Sequence, residues 1–301
     1  MQPYDLDFPN GHHAGSYDRR TSFAWKFLRL VIILIVLVVL SWPFVEPLLL
    51  ETDSVSLITP DLPAGIGQLR IVYVTDIHKG GLYTDSRLAG LISHINAASA
   101  DLVLLGGDYA DDTESAVAFF RTLPRIHARY GVYAVLGNHD RTHESQLDTL
   151  LSAMQSAHVT PLVNDVARVK IGMHRVCIAG IDDPNNGRPD LKGVARQVST
   201  DDLVIFLSHS PAVIPDALKA ADKNGYGSWF DLGLFGHTHG GQVAWLGPLI
   251  KKTDVPKEYL KGWFRQSGAN LLVSRGVGTS GLPVRLFCRP QIHVITLNAA
   301  K

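Results

Sequence analysis

The chain is expected to form an α/β domain of two packed mixed β-sheets flanked by helices, preceded by one N-terminal transmembrane helix. Three observations predict this. Residues 30–45 carry no charge. Between 69 and 157, short apolar runs alternate with amphipathic stretches at helical spacing, the pattern of parallel strands covered by helices. From 159 onward apolar runs follow one another with few helical stretches between them, which argues for further strands.

At 301 residues the chain exceeds a typical single domain, but α/β folds of about 200–250 residues are common. Its 28 Lys and Arg balance 28 Asp and Glu. A broad basic surface is therefore excluded, and no nucleic-acid polymer is expected as a partner. Cys177 and Cys288 sit in apolar, strand-like stretches and read as buried free thiols. Their spacing does not establish a disulfide.

Residues 1–22, rich in Gly, His, Asp and Pro and without periodicity, are expected to be a disordered tail. Residues 23–50 are expected to be the membrane anchor, since a spanning helix needs about 20 mostly apolar residues. Trp25 and Trp42 lie where interfacial aromatics would lie. Arg19, Arg20, Lys26 and Arg29 precede the apolar run; Glu46, Glu51, Asp53 and Asp61 follow it. The positive-inside rule then leaves the N-terminus in the cytoplasm and the rest of the chain extracytoplasmic, in a single pass of the cell (inner) membrane. The lipid bilayer is thus an expected partner. A cleaved signal lacks a convincing small-residue site, and a twin-arginine signal at Arg19-Arg20 has Phe23 one position late. A buried core helix fits poorly with so long and uniform a run.

Residues 51–68, with Pro and Gly, are expected to be a linker into the main domain, 69–298. Strands are expected at 69–75, 101–105 and 131–136, and helices at 85–98, 114–127 (broken near Pro124) and 144–157. Shorter strands follow at 159–163, 165–171, 174–181, 203–207, 232–235, 270–274, 284–288 and 291–297, with a helix at 212–221.

Five polar clusters sit directly after apolar runs: Asp76-Ile-His78, Gly106-Gly-Asp108, Gly137-Asn-His-Asp140, Ser208-His-Ser210 and Gly236-His-Thr-His239. Loops at the carboxyl ends of such strands are where α/β proteins place their sites. Asp76 and His78, spaced i, i+2, can project from one side of an extended strand end, as can His237 and His239. Seven donors can therefore meet at one edge: Asp76, His78, Asp108, Asn138, His209, His237 and His239. Carboxylate, imidazole and carboxamide without thiolate suit Mn, Fe, Zn or Mg. Seven donors suffice for two divalent cations sharing one carboxylate, about 3.5–4 Å apart. Asp108, after two glycines, is the choice for the shared ligand.

In order and spacing these blocks resemble the calcineurin-like metallophosphoesterase superfamily: D-x-H, G-D, G-N-H-[DE], H and G-H-x-H, over 76–239. The resemblance implies the αββα sandwich of that superfamily. It further implies Asp76, His78 and His239 on one metal, Asn138, His209 and His237 on the other, and Asp108 between them. His139 would be the proton donor or phosphate stabiliser, with Asp140 orienting it. The implied reaction is direct attack of a metal-bridging hydroxide on the phosphorus of a monoester, diester or pyrophosphate. Residues 236–242 and 274–285 resemble a bacterial subgroup that often carries an N-terminal membrane or export segment. Lys79, Arg275 and Arg285 are further candidates for substrate phosphate contacts. Asp182-Asp183, in a Pro/Asn/Gly stretch, reads as a turn. The expected substrate is an envelope- or lipid-associated phosphoester. The competing readings are a pyrophosphatase of a nucleotide-activated glycolipid on the cytoplasmic face, and a non-catalytic binding module of the same fold.

Overall fold

The computed structural model describes residues 17–81, 83–243 and 255–300. The chain divides after Pro43 into two units. The first consists of most of helix α1 (Tyr17–Val45). Within it the stretch Phe23–Leu48 is long and apolar enough to cross a bilayer, a test that a signal sequence near the N-terminus also passes. The helix begins at Tyr17, ahead of the expected anchor, because no breaker separates the Arg-rich turn from the apolar run. The tail expected over 1–22 lies, up to residue 16, outside the described residues.

The second unit is a four-layer α/β domain. Its first half holds β1 (Glu51–Thr59), β2 (Gln68–Val74), α2 (Asp85–Ala97), β3 (Leu102–Leu105), α3 (Thr113–Thr122), β4 (Val132–Ala134), α4 (Leu147–Ser156) and β5 (Val159–Pro161). Its second half holds β6 (Asp165–Ile171), β7 (His174–Gly180), α5 (Leu191–Ala195), β8 (Leu203–Leu207), α6 (Ile214–Ala217), β9 (Leu232–Phe235), β10 (Gly262–Gln266), β11 (Ala269–Val273) and β12 (Gln291–Ala299).

Two mixed six-stranded sheets result, ordered β1-β12-β2-β3-β4-β5 and β10-β11-β9-β8-β7-β6. Strands β2 to β5 are parallel, as the β-α-β pattern requires, and so are β7, β8, β9 and β11. The two sheets face each other across one core: Leu69, Ile71, Tyr73, Leu102 and Leu104 meet Ile178, Ile205, Leu207 and Leu234. Val72, Val74 and Val103 point the other way, onto Leu88, Ile92, Phe119 and Leu150 of α2, α3 and α4. On the far side, Phe206 and Phe235 pack with Trp229, Val194 and Ile214. Strands buried on both faces explain why the central runs are continuously apolar.

Some expectations differ from the fold. The linker over 51–68 contains β1, which pairs in parallel along its whole length with β12. Its side chains alternate between half-buried and exposed, an edge-strand pattern masked by the Pro and Gly that follow. Residues 284–288 are not a strand. Among the described residues only Leu286 bridges, to Val243, and the Arg285 side chain beside it turns inward to bind backbone. The helix expected over 114–127 ends at Thr122, its next residue extended ahead of Pro124. Both cysteines are free and buried.

Candidate metal centre

The carboxyl ends of β2, β3 and β4 in one sheet and of β8 and β9 in the other lie at one edge, and each delivers one of the five clusters. Asp76, His78 and His239 bring ligand atoms within 4.8 Å of one another, and so do Asp108, His209 and His237. His78 Nε2 lies 3.2 Å from His239 Nε2, and His239 Nε2 lies 3.3 Å from Asp76 Oδ1. Between the two groups stands Asp108: its Oδ2 is 3.1 Å from His209 Nε2 and 3.5 Å from His78 Nε2. His139 joins His78 and Asp108 as a third group of neighbours.

The local chain presents each atom inward. His209 Nδ1 lies 2.8 Å from Gly106 O, a contact only an Nδ1–H can make, so Nε2 is the nitrogen that faces the site. His78 Nδ1 donates to Asp111 Oδ1 at 3.0 Å with the same result. Asp76 is fixed by Thr75 Oγ1 on Oδ2 and by His237 N–H on both oxygens. Asp108 Oδ1 accepts His139 N–H, which turns Oδ2 toward the two imidazoles. Among the described residues, Asn138 Oδ1 is buried with no hydrogen-bond partner. Gly137 is required beside it, because a Cβ there would collide with the Asp108 carboxylate.

Burial opposes ionisation of both Asp108 and His209, and the pair overcomes it for each other. Asp108 is held well below the ordinary carboxylate range, and His209 is lifted to about 10. A buried carboxylate and imidazoles that face one another at 3.1–3.5 Å, beside an orphaned amide oxygen, form a donor set that cations would complete. The residues fit two divalent metals.

Two expected roles differ from the geometry. Asp140 does not touch the His139 ring. It is fully buried and accepts three backbone N–H groups, from Gly137, Asp108 and Tyr109 at 2.7–3.1 Å, tying two site loops together. Burial and the nearby Asp108 carboxylate push it up to about 7 against those donors. Arg285 is 0% exposed and donates to the carbonyls of Gly278, Cys288, Arg275 and Gly276, so it cannot meet a substrate. Arg275 is held by Glu51 at 2.6 Å and by Gln291. Lys79, next to the site, pairs with Asp85 at 2.9 Å.

Asp111 was not legible as a site residue. Its carboxylate holds His78 and its carbonyl accepts from His139 Nδ1 at 2.9 Å. The Asp182-Asp183 turn also contributes. Asp183 Oδ2 caps the N–H groups of Asn185 and Asn186, Asn186 Nδ2 donates to Asn138 O, and Asp182 pairs with buried Arg141 at 3.1 Å.

Above the metal residues opens a cleft of ≈500 Å³, lined by His78, His139, Tyr83, Asp111, Thr279 and Pro283 among others. A larger hollow of ≈850 Å³ beside α5 and α6 is lined by none of the metal-site residues. Of the two, only the smaller cleft reaches a metal-ligand candidate, His78, together with His139.

The family profile described as calcineurin-like phosphoesterase matches residues 69–241. The chain belongs to the calcineurin-like phosphoesterases. It is a phosphoesterase hydrolase with a His/Asp dinuclear metal site. Among its phosphoesterase relatives, an uncharacterized metallophosphoesterase, YkuE, of Bacillus subtilis is 29% identical over 85% of this chain and 88% of its own length. A transmembrane protein with metallophosphoesterase domain from Bos taurus is 29% identical over 79% of this chain, which spans 55% of that relative. The NAD nucleotidase of Haemophilus influenzae aligns at a TM-score of 0.47 and 16% identity, over 70% of this chain and 45% of that one.

Proposed function

We propose that the protein hydrolyses an envelope- or lipid-associated phosphoester on the extracytoplasmic side, held to the membrane by its N-terminal helix. The observation that carries the catalytic part is the position of Asp108 Oδ2 between His209 and His78. Asp76, His78 and His239 would hold one cation, Asn138, His209 and His237 the other, and Asp108 would contact both. Bound divalent ions, manganese among the candidates, would supply Lewis acidity toward the phosphoryl oxygens and bring a water near neutrality in pKa.

The chain's own residues do the rest. Asp111 O fixes His139 Nδ1, so His139 Nε2 is the atom that can carry a proton to the leaving-group oxygen. Such a proton transfer contributes about 10²–10⁴-fold in rate. Asp140 holds the loops of Asp108 and His139 in register through its three N–H donors. The same constellation serves a monoester, diester or pyrophosphate.

Metal analysis of the purified chain, together with hydrolysis of bis(p-nitrophenyl) phosphate, tests the catalytic reading. Bound divalent metal and Mn-stimulated turnover are expected. Protein with neither would favour a binding module. The excess of Lys and Arg before the apolar run supports the extracytoplasmic side. An alkaline phosphatase fusion after Gln68 should be active; a silent fusion would move the domain to the cytoplasmic face.

A further inference from the structure

Both lips of the cleft are tied to one short stretch of chain. Gly80, Gly81 and Tyr83 form one lip, and Thr279, Ser280 and Pro283 the other. Behind the first, Arg87 lies over the Tyr83 ring at 4.4 Å and donates from Nη2 to Pro47 O at 2.6 Å. Behind the second, Phe287 and Cys288 donate their N–H groups to the Glu46 carboxylate. Glu46 is 2% exposed, and a carboxylate is buried this deeply only when its acceptor capacity is used. Cys288 Sγ in turn donates to His239 O at 3.1 Å, so the tie reaches the metal site.

Glu46 and Pro47 follow directly on Val45, where the apolar helix ends. The mouth of the cleft and the point where the apolar helix joins the domain therefore lie at one edge. That edge is apolar. Of the nine large hydrophobic residues exposed between 44 and 301 among the described residues, six fall in two segments: Phe44, Val45, Leu48 and Leu50, and Leu282 and Phe287. Leu282, 59% exposed, stands inside the second lip, and Leu48 is 58% exposed. The remaining three, Ile58, Met173 and Tyr226, are scattered. Single exposed apolar residues are ordinary, but a cluster around a site mouth marks an interaction surface. The occupant is set by chain continuity: the segment that supplies four of the six residues includes the end of a helix fit to enter a bilayer.

We infer that the rim of the cleft is a membrane-docking surface. Leu48 and Leu282 insert at the interfacial level of the bilayer that takes the N-terminal helix. The cleft then opens at the headgroup layer and accepts a phosphoester whose apolar part stays in the lipid. The substrate half of this inference rests on the phosphoesterase reading; the docking half does not.

The test uses the full-length chain in vesicles of phosphatidylethanolamine and phosphatidylglycerol. Leu282→Cys is labelled with an environment-sensitive fluorophore. The native Cys177 and Cys288, 3% and 0% exposed, are out of reach of the label. Met173→Cys serves as the control: Met173 is 92% exposed and lies in the β6–β7 turn, at the amino end of β7 and away from the site edge. Lipids with a nitroxide near the headgroup should quench the label at 282 several-fold more than that at 173. Equal quenching at the two positions, or none at 282, overturns the docking surface. A label at 282 that is shielded without lipid quenching assigns the rim to a protein partner and overturns it equally. Quenching at 282 without any metal-stimulated phosphoester hydrolysis keeps the docking and rejects the substrate.

Discussion

Asp111→Ala offers a sharp test of how the site is built, because the side chain and the backbone of this residue do different things. The carboxylate accepts from His78 Nδ1 at 3.0 Å, while the carbonyl accepts from His139 Nδ1 at 2.9 Å. Truncation removes only the first. His78 then loses the partner that fixes its tautomer and ring orientation, and Nε2 no longer faces the site by default. Removing such an outer partner typically costs 10–100-fold in metal affinity, about 1.4–2.7 kcal/mol. The lower end is expected here, because the Asp111 side chain is 65% exposed and solvent screens its charge. Asp111→Asn keeps an acceptor oxygen and should recover most of the loss. The assay is calorimetric titration of metal-free protein with Mn²⁺, followed by turnover at saturating metal. One of the two sites should weaken by about tenfold, and kcat at saturation should stay near wild type because His139 keeps its carbonyl. Unchanged affinity in Asp111→Ala would refute the reasoning. So would a large fall in kcat with full metal occupancy, since that would place the side chain in the chemistry.

Asp108→Ala removes the one carboxylate that stands between both groups and should abolish turnover and metal retention together; full activity in the variant would end its assignment as the shared ligand. His139→Ala should lower kcat by about 10²–10⁴-fold with metal content kept, as read by steady-state kinetics and metal analysis; loss of metal would show it to be a ligand. Arg285→Lys keeps the charge but not the planar fork that serves four carbonyls. It should cost about 3 kcal/mol and lower the melting midpoint by about 6–12 °C. Away from the metals, burial and the adjacent Asp61 carboxyl push Asp231 up to about 8. The native state then keeps a proton that the unfolded chain gives up near pH 4. The stability from this proton is complete below that pH and is lost as pH rises through about 8, at no more than about 1.4 kcal/mol per unit. Asp231→Asn should flatten this slope in urea unfolding between pH 5 and 8.

The five donor clusters were legible because each follows a doubly buried strand, and a run such as 102–105 must end where a polar residue appears. Local order sufficed to bring Asp76, Asp108 and Asn138 to one edge, since parallel neighbours share their carboxyl ends. What the sequence hid is what depends on distant partners. Arg285 looked like a phosphate ligand because nothing nearby in sequence claims it; its partners are backbone carbonyls, which every residue has. Glu46 and Cys288 meet across 242 positions. Strand β1 is held by β12 from the far end of the chain and carries no apolar run of its own. Asp140 was misread for a related reason. An Asp beside a His suggests a carboxylate–imidazole pair, whereas three converging N–H groups leave no trace in residue identity.

The i, i+2 pairs reach the site edge by a route other than the expected one. Asp76, His78, His237 and His239 do not continue extended strands. Their φ angles are 56°, 44°, 68° and 51°, and that of Asp108 is 53°. Five ligand candidates thus occupy the left-handed region, at about 1–2 kcal/mol each for residues with a Cβ. Together that approaches the net stability of an ordinary domain, about 5–15 kcal/mol. Such strain persists only where the surroundings over-determine it. Here Asp76 N–H is held by Gly107 O and His78 N–H by Asp108 O, while Gly278 N–H caps Asp76 O. Ile77, 2% exposed, is seated among the helix-side core residues between the two ligands. The i, i+2 pattern therefore marks a tight turn that aims two side chains inward around one apolar anchor. The geometry is maintained by the two sheets behind it, which makes the large β-core part of the metal site rather than a neutral scaffold beneath it.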